Sequence, residues 1–499
     1  MKPILLYNGH FISFTKNTTA VNAVLLHNGL IADVFSNKEQ WPQHIKKIDL
    51  RRNFVMPGFI DSHTHLVSRG IELQRIDLEK CTSLNECLEK LREAEHGDRD
   101  IVFGSNWDES RWIHGDVSTL NKTILDKIST KKPIIMRRVC GHYAVVNTQA
   151  LNSIPQDWKI VDRMNGYLYG DIALNLSEIF KPSDEMVEKA IALASAEALA
   201  HGITSIHEVT VPSQFRILQN CKEQHTLKLR IAVYIPHKYF DTIVSPDVPI
   251  GSGNDFLGIR GMKIYLDGSI GAKTAATNEP YQHTNKRGNF LLAMNIVSAL
   301  VERAEEHGIQ LMIHAIGDRT IHEALRVLEK NMSNRNVLRH RLEHIEMVDD
   351  ASVEKIAKMN VIASMQPNFV RQWQMPGGLY EHYLGQRYKR MNCFKKLLNA
   401  GVKVIFGSDC MPLGPLYGIQ GAINHPFSCG RLTPFEAFRF YTAGGAYATF
   451  DEEKKGTIEC GKFADLIVLD KNPLTENNLD NINILEVFIN GSQVYGNVG

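Results

Sequence analysis

Five side chains of types that hold cations stand at the ends of apolar runs. They are His63 and His65 in FVMPGFIDSHTHL, His314 in IQLMIHAIGD, His344 in HRLEHIEMV and Asp409 in VKVIFGSD. Residues two apart on a strand share a face, so His63 and His65 could grip one ion. Such a pair alone is weak evidence. With 20 histidines in 499 residues, about one H-x-H is expected by chance at this same-face spacing. Two polar loop histidines are the plain alternative. A lone histidine at a strand end is more often a hydrogen-bonded core or loop residue. Four histidines and an aspartate, all at strand termini, are hard to explain as independent accidents, and imidazole and carboxylate are ligands that zinc, manganese and iron accept. Lys263 is a sixth candidate. In GIRGMKIYLDG it lies inside a run of strand period, Met262, Ile264 and Leu266 alternating with Lys263, Tyr265 and Asp267. An edge strand would accommodate it cheaply; a strand covered on both faces would not.

The elements that must position these residues alternate helix and strand. DEMVEKAIALASAEALAHG runs into ITSIHEV, NIVSALVERAEEHG into IQLMIHAIGD, and CFKKLLNAG into VKVIFGSD. Val297, Leu300, Val301 and Ala304 share one helical face. Gly202, Gly308 and Gly401 stand where C-caps belong. HRLEHIEMV and VIASMQP flank a helix-like DASVEKIAKM, and LRIAVYI is either a further barrel strand or a loop strand. Repeated units of this kind imply a parallel sheet, and about eight strands over this length imply a (β/α)8 barrel, at whose C-terminal face strand ends converge. No G-x-G-x-x-G follows the first strand, so a dinucleotide site lacks support. Both chain ends instead read as short strands, with Asn8-Gly9, Asn28-Gly29 and Asn490-Gly491 as hairpin signals.

Composition narrows the class. Apolar residues make up 43% and charged residues 22%, and the net charge is +1, which gives no reason to expect nucleic acid or an acidic membrane as partner. The eight cysteines include no C-x-x-C pair and read as reduced thiols. No signal-peptide pattern opens the chain, and no apolar run approaches the ~20 residues of a membrane helix. A cytoplasmic enzyme of a small-molecule substrate is the expectation, with a homodimer left open.

PGFIDSHTHL, HAIGDRTI, RLEHIE, GSD and GTIECGKFADLIVLDKNP together resemble the metal-dependent amidohydrolase superfamily. GSNWDESRW, GHYAVVNTQAL and MKIYLDGSIGAKT resemble its YtcJ-like and N-substituted formamide deformylase branch (amidohydrolase family 3). The resemblance runs essentially end to end. It implies a barrel over 58–449 and a small β-sandwich built from 1–57 and 450–499. It also implies a lysine on the fourth barrel strand, carboxylated by carbon dioxide and bridging two metal ions, which by position would be Lys263. A desolvated lysine is less basic and more nucleophilic, which suits that chemistry. The competing readings are that Glu208 in ITSIHEV supplies the carboxylate, or that Lys263 pairs with Asp267 or with a substrate carboxylate.

On this resemblance His63 and His65 hold one ion and His314 and His344 the other. Zinc is the first expectation, with manganese or iron as alternatives. Asp409 contacts the first ion and shuttles a proton to the leaving nitrogen while a metal-activated hydroxide cleaves a non-peptide carbon–nitrogen bond. Weaker candidates face the substrate. His142 could donate to the carbonyl oxygen or simply cap the structure, Trp107 and Trp112 could form an apolar wall or pack a loop, and Gln366 or Arg371 could reach ligand. Asp318 could orient His314. Two alternatives stand beside this reading. One is a mononuclear deaminase-type amidohydrolase, disfavoured because His314 lacks an H-x-x-E pairing in HAIGDRTIHE. The other is a non-catalytic barrel scaffold, disfavoured because every candidate ligand is present.

Overall fold

The computed structural model describes residues 2–496 apart from 16–20, 98–99, 110–111, 113–118, 140, 142, 157–161, 170, 175, 245–252 and 333–334. Eight parallel strands form its central sheet: β1 (Phe59–Thr64), β2 (Ile203–Val209), β3 (Arg230–Pro236), β4 (Leu257–Tyr265), β5 (Gln310–Ala315), β6 (Arg341–His344), β7 (Ile362–Met365) and β8 (Val404–Phe406). Each strand pairs with its neighbour in chain order. Beyond β8 the Asp409 N–H donates to the His63 carbonyl at 2.8 Å, bringing the last strand back to the first. The nearly closed sheet is the expected barrel. Its strands are buried on both faces, which explains why apolar residues such as Leu311, Met312 and Ile313 follow one another without polar alternation. LRIAVYI is a barrel strand, β3, and this makes the strand of Lys263 the fourth.

Helices α1 (Pro212–Glu223), α2 (Met294–Glu306), α3 (Asp318–Asn331), α4 (Asp350–Met359) and α5 (Phe394–Asn399) fill connections between strands. In α2 the buried residues are Val297, Leu300, Val301 and Ala304, the face that the spacing predicts. Gly202, Gly308 and Gly401 all adopt positive φ (74°, 67° and 81°), the left-handed cap that glycine enters without a Cβ penalty.

Two further sheets use the chain ends. One holds Leu30–Phe35, Ala23–His27, Ile4–Tyr7 and Lys46–Asp49; the other holds His10–Phe11, Phe54–Pro57, Leu466–Leu469, Ile484–Ile489 and Ser492–Tyr495, in those orders. Val55 lies opposite Val468, and Leu6, Val24, Leu26, Val55, Leu466, Val468 and Phe488 share one apolar core. Asn28-Gly29 and Asn490-Gly491 are two-residue hairpin turns with both residues at positive φ. Asn8-Gly9 is not a hairpin. The strands on either side of it belong to different sheets, so the turn carries the chain from one layer to the other.

Arg230, at the start of β3, fastens this terminal assembly to the barrel. Its guanidinium makes paired bonds to Asp465 at 2.6 and 3.1 Å and lies over the Phe463 ring at 3.8 Å, and both charges are buried. Removing one partner of such a pair leaves a desolvated charge alone, so Asp465→Ala should cost about 3–5 kcal/mol. Urea unfolding checks this; an unchanged midpoint would refute it.

Residues 67–193 form a compact unit of their own, inserted in the sequence between β1 and β2. The division of the sequence into barrel and sandwich did not separate it. Its five-stranded sheet has the order Tyr167–Tyr169, Tyr143–Val146, Ile134–Arg138, Val102–Trp107, Ile76–Asp77. Among the described residues no helix is long and apolar enough to cross a membrane.

Candidate metal centre

His63 lies near the end of β1 and His65 just beyond it, Lys263 lies near the end of β4, His314 near the end of β5, His344 ends β6, and Asp409 follows β8. The barrel brings them together. One donor atom from each of His63, His65 and Asp409 lies within 4.8 Å of the others. Asp409 Oδ1 is 3.2 Å from His65 Nε2 and 3.8 Å from His63 Nε2. The His63 and His344 rings are 4.9 Å apart, and the His344 and His314 rings 4.5 Å. Lys263 Nζ is fully buried, 2.9 Å from His63 Nε2.

The backbone is bent to achieve this. His344 (φ 70°), Ile345 (φ 37°), Asp409 (φ 54°) and Cys410 (φ 56°) are non-glycine residues at positive φ. Such conformations cost about 1–3 kcal/mol each and persist where surrounding structure imposes them. Gly407 allows the close approach of β8 to β1: a Cβ there would lie 2.4 Å from the His63 nitrogen.

Second partners fix which nitrogen each imidazole offers. His63 Nδ1–H donates to Glu343 Oε2 at 2.6 Å, leaving Nε2 as the donor atom. His344 Nδ1–H donates to Gln366 Oε1 at 2.7 Å, again leaving Nε2. His314 Nε2–H donates to the Gly268 carbonyl at 3.1 Å and leaves Nδ1. Burial, helped by the Lys263 charge, lowers the His63 pKa to about 4. Burial likewise lowers His314 and, by a wide margin, His344. Neutral imidazoles with an oriented lone pair are what a divalent cation requires. Burial also lowers Lys263 to about 8. Burial alone would raise the Asp409 carboxyl, but the His63, His65 and His344 imidazoles overrule it and hold it well below the usual carboxylate range. The donor set therefore fits a metal: two imidazole nitrogens and a carboxylate near one point, with two further imidazoles beside them.

Other candidates lie elsewhere or serve differently. Glu208 is fully buried, and its Oε2 accepts from the Leu66 N–H at 2.6 Å and the Thr64 hydroxyl at 2.8 Å, pinning the turn after His65. Gln366 orients His344, as above. Asp318 does not orient His314. It accepts from the Asn278 and Arg319 N–H groups at 2.8 and 2.9 Å, and the carboxylate beside His314 is Asp267, 3.4 Å from Nε2. Asp267 in turn is held by the Ala276, Ile316 and Gly317 N–H groups and the Thr320 hydroxyl, so it is not the partner of Lys263. Trp107 is a core residue of the 67–193 unit, stacked on Trp112 with centroids 5.6 Å apart. Arg371 makes paired bonds to Asp480. His142 lies outside the described residues.

The sequence reading missed the charged interior beneath His63. Glu343 is bound by Arg341 through two bonds, at 2.5 and 3.0 Å, and Arg341 also donates to His207 Nδ1 at 2.9 Å and the Ser364 hydroxyl at 2.9 Å. All four side chains are fully buried. The signal was available: Arg341 and Glu343 are two apart, so they share a face of β6.

The amidohydrolase family model matches residues 46–495. YtcJ of Bacillus subtilis is 28% identical over 98% of this chain and 99% of its own. The N-substituted formamide deformylase of Arthrobacter pascens is 23% identical over 100% and 99%. The crystal structure of an uncharacterized metal-dependent hydrolase from Pyrococcus furiosus superimposes with a TM-score of 0.84 at 26% identity, covering 95% of this chain and 100% of that one. With its barrel, the histidines at its strand ends and a match over most of its length, the chain belongs to the amidohydrolase family, in the branch of YtcJ and the N-substituted formamide deformylase, and is a metal-dependent hydrolase.

Proposed function

We infer that the protein hydrolyses a carbon–nitrogen bond of amide or formamide type, outside peptides, in a small molecule. The observation that carries this reading is the meeting of His63, His65 and Asp409 at one point, beside His314, His344 and Lys263. His63, His65 and Asp409 would hold one divalent cation, and His314 and His344 a second, with zinc the first expectation. The chemistry such ions supply is a polarised carbonyl and a water acidic enough to lose its proton near pH ~7. Asp409, held ionised by its imidazole neighbours, accepts that proton and returns it to the leaving nitrogen. The barrel strands within 58–449 carry the reaction, and the terminal segments 1–57 and 450–499 support it.

Lys263 fits the bridging role. As a free amine it occupies the His63 lone pair that a cation would take. Reaction with carbon dioxide forms an Nζ–C bond, releases a proton from Nζ and converts the lysine into an anion, which removes the competition. Exhaustive chelation should abolish release of amine from N-formyl and N-acyl amines, and added Zn, Mn or Fe(II) should restore it. Full activity in metal-free protein would overturn the reading. Under ¹³C-labelled carbon dioxide the metal-loaded protein should show a carbamate resonance that Lys263→Ala abolishes. Its absence from the wild-type spectrum would remove the bridge but not the hydrolase.

A further inference from the structure

Cys393 and Cys429 are distant in sequence and meet in space. Cys393 is the buried residue preceding α5, and Cys429 is half-buried in the turn that follows the helix Pro415–Ile423. Their backbones abut: the Lys396 N–H, in the first turn of α5, donates to the Cys429 carbonyl at 2.9 Å, and a Cβ on Gly430 would lie 2.7 Å from the Asn392 oxygen. Their sulfurs point to neighbouring carbonyls, Cys393 Sγ to Arg390 at 3.3 Å and Cys429 Sγ to Lys389 at 3.7 Å, so the two thiols are neighbours. None of these residues takes part in the metal centre.

We propose that Cys393 and Cys429 form an oxidisable dithiol that reacts with low-molecular-weight disulfides, Cys429 attacking and Cys393 resolving. Cys429 is the accessible member, and its contact with the Cys393 thiol holds it below the usual thiol range. Cys393 is pushed up by the same contact and by burial. The thiolate is the nucleophile in such exchange, so the first attack belongs to Cys429. Its sulfur bonds to one sulfur of the small disulfide and expels the other half as a thiolate. Cys393 then attacks the Cys429 sulfur and expels the second half. One S–S bond is made and one broken, the protein loses two thiol protons, and these protonate the two small thiols released. With their backbones already abutting, the two sulfurs can close to the ~2.05 Å of a disulfide by side-chain rotation and local adjustment.

A second thiol contact supplies an internal control. Cys81 and Cys87 also touch, but both are buried in the apolar core of the 67–193 unit, where Cys87 is pushed far above the usual thiol range by burial. That pair should stay reduced, because a disulfide in solution cannot reach it.

The test is incubation of the native full-length protein with glutathione disulfide, followed by peptide mapping without reduction. The peptides bearing Cys393 and Cys429 should be recovered joined, with two thiols lost from the titratable count and regained on reduction. In Cys393→Ser the Cys429 peptide should instead retain one glutathione. In Cys429→Ser the Cys393 peptide should remain free. Failure to recover the joined peptides from wild-type protein at saturating oxidant would overturn the proposal, whatever the variants do. So would joining of Cys81 to Cys87 before Cys393 to Cys429. An adduct on Cys393 in Cys429→Ser would overturn the assigned roles.

Discussion

Asp409→Asn should lower turnover of any substrate by about 10²-fold or more while leaving the metal partly bound. The carboxylate stands after β8 with Oδ1 3.2 Å from His65 Nε2, and only a sixth of its side chain is exposed, at 16%. Three imidazoles hold it in the ionised form, so at neutral pH the carboxylate is unprotonated and has a free site for a proton. An asparagine occupies nearly the same volume and keeps one oxygen that can face a cation. It cannot accept a proton and pass it on. The assay should therefore be run at saturating metal, with bound metal measured alongside kcat. A near-normal kcat in fully loaded variant would remove Asp409 from the proton path. A lost kcat that returns in proportion to added metal would show a ligand only.

Glu343→Gln should weaken metal binding by about 10–100-fold, although Glu343 is not itself a proposed ligand. Its Oε2 receives the His63 Nδ1–H at 2.6 Å, and this bond decides that Nε2 faces the centre. Arg341 and His63 hold the buried Glu343 carboxyl well below its usual range against the opposing pull of burial. The His63 ring is thus backed by a full negative charge, which makes its free nitrogen a better donor. The amide can still accept a hydrogen bond but carries no charge, and it leaves Arg341 with no anionic partner. For that reason the double variant Arg341→Met with Glu343→Gln should accompany it, since it removes both buried charges together. Chelator competition on both proteins separates the effects. Weak metal binding in both supports the role of the carboxylate behind His63. Wild-type affinity in the double variant would show that the single change acted only through the stranded arginine.

Much of this centre was legible because its proposed ligands stand at or just beyond the ends of strands of strong apolar character. IQLMIH and VKVIF announce themselves by composition, and a barrel gathers strand ends at one face. The face of α2 and the glycine caps followed from local periodicity alone. What failed depended on which distant residue becomes a neighbour. Asp318 is close to His314 in sequence, yet Asp267 reaches it because the segment after β4 lies beside the segment after β5. Lys263 lies four residues from Asp267 but turns to His63, two hundred positions away. Arg341 and Glu343 look like solvated charges in a sequence, and only closure of the sheet shows that they neutralise each other inside it. Asn8-Gly9 has hairpin chemistry, but its flanking strands found partners in separate sheets, and tertiary pairing overrode the turn signal.

The pairing of Phe54–Pro57 with Leu466–Leu469 has a consequence for how the protein is made. A ribosome delivers residues in order at about 5–20 per second, so the early strand waits on the order of tens of seconds for its mate to leave the exit tunnel. Through that interval an apolar strand edge has no permanent neighbour and is open to pairing with other nascent chains. Yield in the cell should consequently depend on chaperone supply during translation more than on the stability of the finished molecule.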